Sequence, residues 1–169
     1  MTIIVINTLT RQVAADKQFT VGNSSVTGTK LFKLYSKAKK NKKSQMFIVG
    51  IFGECTRALE LKDWFQKKID GVKDNPFPES NNSLDMFGKY KCGSEAGIVV
   101  VDSENNKVFS YYDSEYPIEY EDTFLAFGSG QDFAVGFHHA HPLGDVAEVV
   151  GTVSHLDIYC GKGVTIFDY

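Results

Sequence analysis

Long hydrophobic runs are missing from this 169-residue sequence. No apolar stretch approaches the roughly 20 residues that a membrane-spanning helix needs. The first residues are apolar, but they carry neither a basic segment nor a small-residue cleavage site, so we do not expect a signal peptide. We therefore expect a soluble protein with no membrane contact, which stays in the compartment where it is made.

Cysteine and excess charge are also scarce. The three cysteines, Cys55, Cys92 and Cys160, lack the spacing of metal ligands, and a disulfide-stabilised secreted domain would carry more of them. A reduced, cytoplasmic setting without a bound metal or cofactor fits this pattern best. The net charge is only −3, which does not indicate a nucleic-acid-binding protein.

One basic run, residues 37–43 (KAKKNKK), lies between two apolar segments. Such a run is typical of a solvated hairpin turn. Contact with nucleic acid or with an acidic surface is the alternative interpretation.

The remaining composition is that of a globular protein, with 43% hydrophobic and 13% aromatic residues. This suffices for one core, so we expect one domain over residues 1–169. Apolar runs or alternating patterns predict strands, with turns at 8–11 and 22–25. The predicted strands are 2–7, 12–16 together with 18–20, 30–35, 45–52, 97–102, 107–112, 124–127 and 164–167.

Helical spacing is clearest in residues 54–69, where apolar residues recur every three or four positions. Residues 131–141 and 146–156 are also predicted to be helical, the latter with Asp145 as its N-cap. Residues 74–95 contain helix breakers and are predicted to be irregular. This order of elements predicts an α+β fold with helices covering antiparallel sheets.

Four segments in this order resemble the proteasome β subunit and the HslV (ClpQ) peptidase, which are N-terminal nucleophile (Ntn) hydrolases. They are the Thr2 strand leading to 14–16 (AAD) and 22–23 (GN), then 49–56 (VGIFGECT), 125–130 (LAFGSG) and 157–161 (DIYCG). The resemblance implies a proteasome-like four-layer αββα sandwich of antiparallel sheets.

The resemblance also implies a threonine-type endopeptidase whose nucleophile is the Thr2 hydroxyl. A hydroxyl needs a base, and a free α-amine, with an ordinary pKa of about 7.7 to 8.0, can serve. This chemistry requires that Met1 has been removed.

Lys30 matches the family's catalytic lysine, and Asp16 would pair with it and hold it charged. The ordinary alternatives are a turn cap for Asp16 and a strand-edge charge for Lys30. Lys33 lies three residues further on and should point to solvent from the opposite face of the strand.

By the same resemblance, Ser129, Asp157 and Cys160 form a polar network around the Thr2 amine. Cys160 stands where the proteasome has a serine, and a thiol is a weaker hydrogen-bond partner. Asp157 could otherwise be a turn residue. The resemblance also implies that the backbone N–H of Gly53 is the oxyanion donor, because the strand-to-helix corner at residues 52–53 lies where the family places it. A glycine also permits close backbone approach.

Substrate contacts are expected from the same segments. Thr20 would contact the substrate backbone, and Phe19, Ile51 and Cys55 would line an apolar first specificity pocket. The alternative is that these three side chains are plain core.

The histidines are interpreted separately. His138, His139 and His141 lie together but lack a carboxylate or cysteine that would complete a metal site. We expect them at the polar surface or capping a helix end. His155 lies near a turn where HslV-like proteins can bind a cation, which is left open.

The implied partners are a polypeptide substrate, further copies in a homo-oligomeric ring, and a separate AAA+ ATPase, since no phosphate-binding loop is present. The family's second long helix is not expected, because residues 67–95 contain helix breakers, and this puts ring formation in doubt. Two other functions are considered: a catalytically inactive structural or assembly subunit that retains Met1, and an Ntn amidase acting on a small molecule.

Overall fold

The structure is a computed structural model that describes residues 2–21, 24–37, 43–78, 96–112 and 114–169. Several predictions lie outside these residues: the state of Met1, the turn at Gly22 and Asn23, most of the lysine-rich run, Cys92, and residues 79–95 of the irregular segment.

The described residues form eleven strands and three helices. In chain order they are β1 (Ile4–Asn7), β2 (Gln12–Asp16), β3 (Gln18–Val21), β4 (Ser24–Thr27), β5 (Leu31–Tyr35), β6 (Met46–Gly53), α1 (Cys55–Ile69), β7 (Ala96–Asp102), β8 (Lys107–Tyr111), β9 (Ile118–Tyr120), β10 (Phe124–Phe127), α2 (Gln131–Ala140), α3 (Val146–Leu156) and β11 (Val164–Asp168).

Two antiparallel sheets form the centre of the fold. One has the order β10-β1-β2-β11 and the other the order β5-β6-β7-β8-β9, while β3 and β4 form a separate hairpin. The strands β1 and β7 are buried along their whole length, because apolar side chains on both faces meet a layer on each side.

Three hydrophobic clusters separate four layers. Ile4, Ile6, Leu31 and Phe127 belong to the cluster between the sheets. Helix α1 packs Leu61 and its apolar neighbours on the outer face of the five-stranded sheet. Helices α2 and α3 cover the four-stranded sheet, where Val149 and Val153 are fully buried. The expected αββα sandwich is therefore confirmed.

The helix boundaries follow local chemistry. The Glu54 carboxylate accepts the N–H groups of Thr56 and Arg57 and caps α1, and these hydrogen bonds hold the pKa of Glu54 below its ordinary value although burial opposes them. The Asp145 carboxylate accepts the N–H of Glu148 at 2.7 Å and starts α3, as predicted.

Three details of the predicted strands were wrong. The segments 12–16 and 18–20 were predicted as parts of one strand but form two, because the Lys17 N–H between them donates to Gly161 O and Gly163 O. Ser24 and Ser25 are not a turn but pair with β3, and their exposed polar side chains concealed the strand. The three-residue strand β9 was missed because it is short and lies at a sheet edge.

Lys33 is exposed whereas Lys30 is buried, in agreement with the strand periodicity. Among the described residues, no helix is both long enough and apolar enough to span a membrane.

Candidate active site

Thr2 lies at the entrance to β1 with only 3% of its surface exposed. Its backbone rests on the turn that joins β10 to α2: Gly130 N–H donates to Thr2 O at 3.4 Å. Gly128, in the same turn, has a φ of +98°, and a Cβ there would lie 2.0 Å from Thr2 O. The position of Thr2 is therefore fixed by a glycine turn more than 120 residues away in sequence.

The Asp16 carboxylate, at the end of β2, is fully buried and connects several segments. Its Oδ1 accepts the Ile3 N–H at 2.9 Å, and its Oδ2 accepts the N–H groups of Gln18 at 3.0 Å and Gly161 at 3.1 Å. Lys30 Nζ donates to both oxygens, at 2.9 and 3.0 Å. Asp16 thus joins the residue after Thr2 to Lys30.

The Lys30 side chain has no exposed surface in this ion pair. Burial lowers the pKa of Lys30, and the Asp16 carboxylate opposes the shift without cancelling it. Asp16 and Lys30 are in contact as the resemblance implies, while a catalytic role for them stays a prediction.

A second polar cluster joins Ser129, Asp157 and Cys160. Ser129 Oγ donates to Asp157 Oδ2 at 2.9 Å, and Cys160 Sγ donates to the same oxygen at 3.3 Å. The Tyr159 N–H donates to Asp157 Oδ1 at 2.9 Å. Asp157 therefore organises a turn. It also binds the hydroxyl of Ser129, which lies between Gly128 and Gly130, the two glycines that contact Thr2.

The pKa values of Asp157 and Cys160 shift in opposite directions. Burial alone would raise the pKa of Asp157, but hydrogen bonds from Tyr159, Ser129 and Cys160 bring that pKa below its ordinary value. Burial, together with the nearby carboxylates of Asp16 and Asp157, raises the pKa of the Cys160 thiol to about 12. The thiol therefore stays protonated at neutral pH and acts as a donor.

In comparisons by sequence, no family model and no curated protein matches this chain. Solved structures do match. HslV from Trypanosoma brucei superposes with a TM-score of 0.63 at 17% identity, over 98% of each chain. This chain has the fold of HslV.

Two further structures share the HslV-like fold. BPH from Thiobacillus denitrificans, in complex with epoxomicin, has a TM-score of 0.61 at 16% identity over 99% of this chain and 97% of that one. Anbu from Pseudomonas aeruginosa, described as a helical assembly, has a TM-score of 0.69 at 14% identity over 99% of this chain and 81% of that one.

In this HslV-like fold, Gly53 ends β6 with a φ of +81°. Ile51 N–H donates to Lys30 O at 2.9 Å, and strand periodicity directs the N–H groups of residues 51 and 53 to the same side. Strand β5 begins at Leu31, opposite Gly50, so Gly53 lies beyond the end of β5. Its geometry suits a donor directed at a ligand, although that role stays a prediction.

The expected substrate-contact residues differ in exposure. Thr20 is exposed on β3, and Phe19 and Cys55 are half-buried. Ile51 is only 2% exposed and belongs to the core beneath α1, as does the inner part of Phe19. Burial raises the pKa of Cys55, with Glu54 adding to it and Lys30 opposing it. Their role as a pocket stays a prediction.

Gln18 and Gly128 were not recognised in the sequence. Gln18 Nε2 donates to Ile158 O at 2.9 Å, while its backbone N–H binds Asp16, so this residue connects the ion pair to the Asp157 cluster. Gln18 could have been recognised from its position two residues after Asp16, which places both side chains on the same side of an extended chain. Nothing in the sequence predicted that Gly128 contacts Thr2.

The histidines form no metal site, and no cluster of metal ligands occurs in the described part of the chain. His141 is the C-cap residue of α2 and is exposed, as expected. His138 lies in the last turn of α2, in agreement with the helix-end position that was one of the two expected, and its half-buried ring stacks on Phe124 with centroids 3.8 Å apart. His155 is exposed near the end of α3.

Proposed function

We propose that this chain is a threonine-type endopeptidase in which Thr2, once Met1 has been removed, attacks peptide bonds. One observation carries the proposal: Asp16 binds both the N–H of Ile3 and the ammonium of Lys30, and so holds a positive charge beside the start of β1. An ammonium in this position favours a neutral α-amine and lowers the cost of an alkoxide at Thr2.

Each remaining residue has a role in this mechanism. The α-amine takes the hydroxyl proton as Thr2 Oγ attacks the carbonyl carbon, and gives it to the amine that leaves when the peptide bond breaks. A water molecule, deprotonated by the same α-amine, then hydrolyses the ester on Thr2 Oγ, which releases the new carboxyl end and restores the hydroxyl. Ser129, held by Asp157 and flanked by Cys160, orients the amine. The Gly53 N–H stabilises the oxyanion.

The substrate is a polypeptide with an apolar side chain at the cleavage site. Thr20, on the exposed hairpin, would bind its backbone, and Phe19 and Cys55 would border the pocket, with Ile51 beneath them. The similar protein BPH was solved with epoxomicin bound, which supports testing compounds of that class on this chain.

We further propose that the chain is cytoplasmic and works as a homo-oligomer, with the active sites inside a ring and an AAA+ ATPase on a separate chain. The HslV-like fold and the helical assembly of the Anbu protein support self-association.

Hydrolysis of fluorogenic peptides with leucine or phenylalanine before the cleaved bond tests the proposal. The purified chain should cleave them, Thr2→Ala should not, and Thr10→Ala, in the turn after β1, should be as active as the unmodified protein. Cleavage that persists in Thr2→Ala would contradict the nucleophile. An inactive protein that retains Met1 would support the structural or assembly subunit instead.

A further inference from the structure

We propose that Phe19 is a positioning residue, whose ring closes the Asp16–Lys30 ion pair off from solvent, and that the missing side chain of Gly28 determines where that ring lies. This inference rests on the proposed peptidase function and deepens it, because there Phe19 only borders the substrate pocket.

The ring of Phe19 covers the ammonium directly. Lys30 Nζ lies 5.1 Å from the centroid of the ring, within the range of a cation–π contact. Lys30 is 1% exposed, whereas Phe19 is half-buried and has one side toward solvent. The ring therefore lies at the boundary between the ion pair and water.

Gly28 leaves the space that this ring occupies. A Cβ at residue 28 would lie 2.5 Å from Phe19 Cε2 and 2.6 Å from Cδ2, closer than real Cβ contacts occur, so the ring would have to move. The Gly28 N–H donates to Lys17 O at 2.8 Å, which anchors residue 28 next to the end of β2. The glycine is needed for space and not for a left-handed backbone, since its φ lies outside that region.

The cover matters because burial dominates the electrostatics of Lys30. Among the described residues, three acidic or thiol groups act electrostatically on its ammonium: Asp16 from β2, Cys160 from the turn after α3, and Cys55 from the start of α1. All three raise the pKa of Lys30, yet burial, the largest cause, keeps it below the ordinary value. Water at the ion pair would weaken this effect of burial and would screen the field that Lys30 exerts on Thr2.

The experiment compares Gly28→Ala, Phe19→Ala and Phe19→Leu in the full chain. Phe133→Ala is the control, since it removes a 48% exposed aromatic ring from α2 on the opposite outer layer. The first readout is the titration of the Lys30 ammonium by NMR in selectively labelled protein, assigned with Lys30→Arg. The second readout is the pH profile of peptide hydrolysis.

The pKa of Lys30 should rise in Gly28→Ala and in Phe19→Ala, rise less in Phe19→Leu, and stay unchanged in Phe133→Ala. The kcat at neutral pH should fall about tenfold or more in Gly28→Ala, because small displacements at a reacting centre are costly. Phe19→Leu keeps most of the apolar volume, so it tests the cover even if the alanine variants do not fold.

The two proposals fail in different ways. If the unmodified protein cleaves peptides but the Lys30 titration is the same in Gly28→Ala and Phe19→Leu, Phe19 is not a cover and the inference is overturned. If the titration shifts as expected in a protein that cleaves no peptide, the cover stands and the peptidase function fails.

Discussion

The carbonyl oxygen of Thr2 lies where a side chain on Gly128 would have to be, since a Cβ at residue 128 would approach it to 2.0 Å. Because residue 128 has no side chain, the turn after β10 can pack against the residue that precedes β1. Ser129 follows Gly128 in this turn, so it lies between the two glycines that contact the Thr2 backbone. Space at Gly128 is therefore a condition for the candidate site.

We expect Gly128→Ala to lose the site. An alanine at a φ of +98° costs on the order of 1–3 kcal/mol, and the methyl group must push Thr2 away. Peptide hydrolysis should fall about 100-fold or more, because a displacement of about 1 Å near the chemistry has that effect. Gly136→Ala is the matched control: a Cβ at residue 136 meets nothing within 4 Å, and replacing glycine within a helix should stabilise the protein by about 0.5–1 kcal/mol. Equal activity in both variants would contradict the role of Gly128.

Replacing only one partner of the buried Asp16–Lys30 ion pair should strongly destabilise the protein. Lys30→Met leaves a fully buried carboxylate without its ammonium, so the free energy of unfolding should fall by about 3–5 kcal/mol in urea titrations. The double variant Asp16→Asn/Lys30→Met should lose less than the sum of the single losses, since neither partner is then left charged.

An exposed pair provides the comparison. Lys37 Nζ lies 3.7 Å from Asp70 Oδ2, and the Lys37 side chain is 74% exposed. Lys37→Met should therefore change the free energy of unfolding by only about 0–1 kcal/mol. A Lys30→Met protein as stable as Lys37→Met would show that the buried pair does not support the fold.

Gln18→Glu should impair catalysis with little change in substrate affinity. An ionised glutamate has nearly the same shape as glutamine but cannot donate to Ile158 O. The turn that carries Asp157 then loses one of its bonds to the Asp16 segment and keeps the Gly161 N–H bond to Asp16. We expect kcat to fall about tenfold while KM stays similar. Gln66→Glu is the control, because Gln66 Nε2 makes the same kind of bond to Tyr35 O at 3.0 Å, at an exposed position. Equal kcat in the two variants would exclude a positioning role for Gln18.

Asp157 should make stability depend on acid pH. Its pKa in the folded protein lies below the ordinary value of about 3.9, so its stabilising effect is complete above that value and is lost as the pH falls through the folded pKa. Urea unfolding between about pH 2 and 6 should show this loss, and Asp157→Asn should remove that part of the pH dependence. An unchanged pH profile in Asp157→Asn would contradict the hydrogen-bond network.

The elements that the sequence predicted are those whose own residues carry the signal. The apolar run of β1, the spacing in α1 and the Asp145 cap of α3 depend on local patterns. Strand β4 was missed because Ser24 and Ser25 are polar and exposed, so nothing distinguishes that strand from a turn.

The candidate site depends on contacts between distant residues, which explains what the sequence could not provide. The resemblance to HslV and proteasome subunits implied the Asp16–Lys30 pair. It did not reveal that Gln18 reaches Ile158, 140 residues away, or that Gly28 makes room for the ring of Phe19. The first contact joins β3 to the turn after α3, and the second lies at the end of the β3–β4 hairpin, so neither follows from a local hydrophobic pattern.

Whether Thr2 is an N-terminal nucleophile is tested by the intact mass of the purified protein, measured before and after incubation with epoxomicin. An epoxyketone carries two electrophilic groups, the ketone and the epoxide, which can bond to the hydroxyl and to the free α-amine of an N-terminal threonine, so one adduct tests both groups. We expect a mass without Met1, one covalent adduct in the unmodified protein, and no adduct in Thr2→Ala. A protein that retains Met1 and forms no adduct, or an adduct that persists in Thr2→Ala, would contradict this expectation.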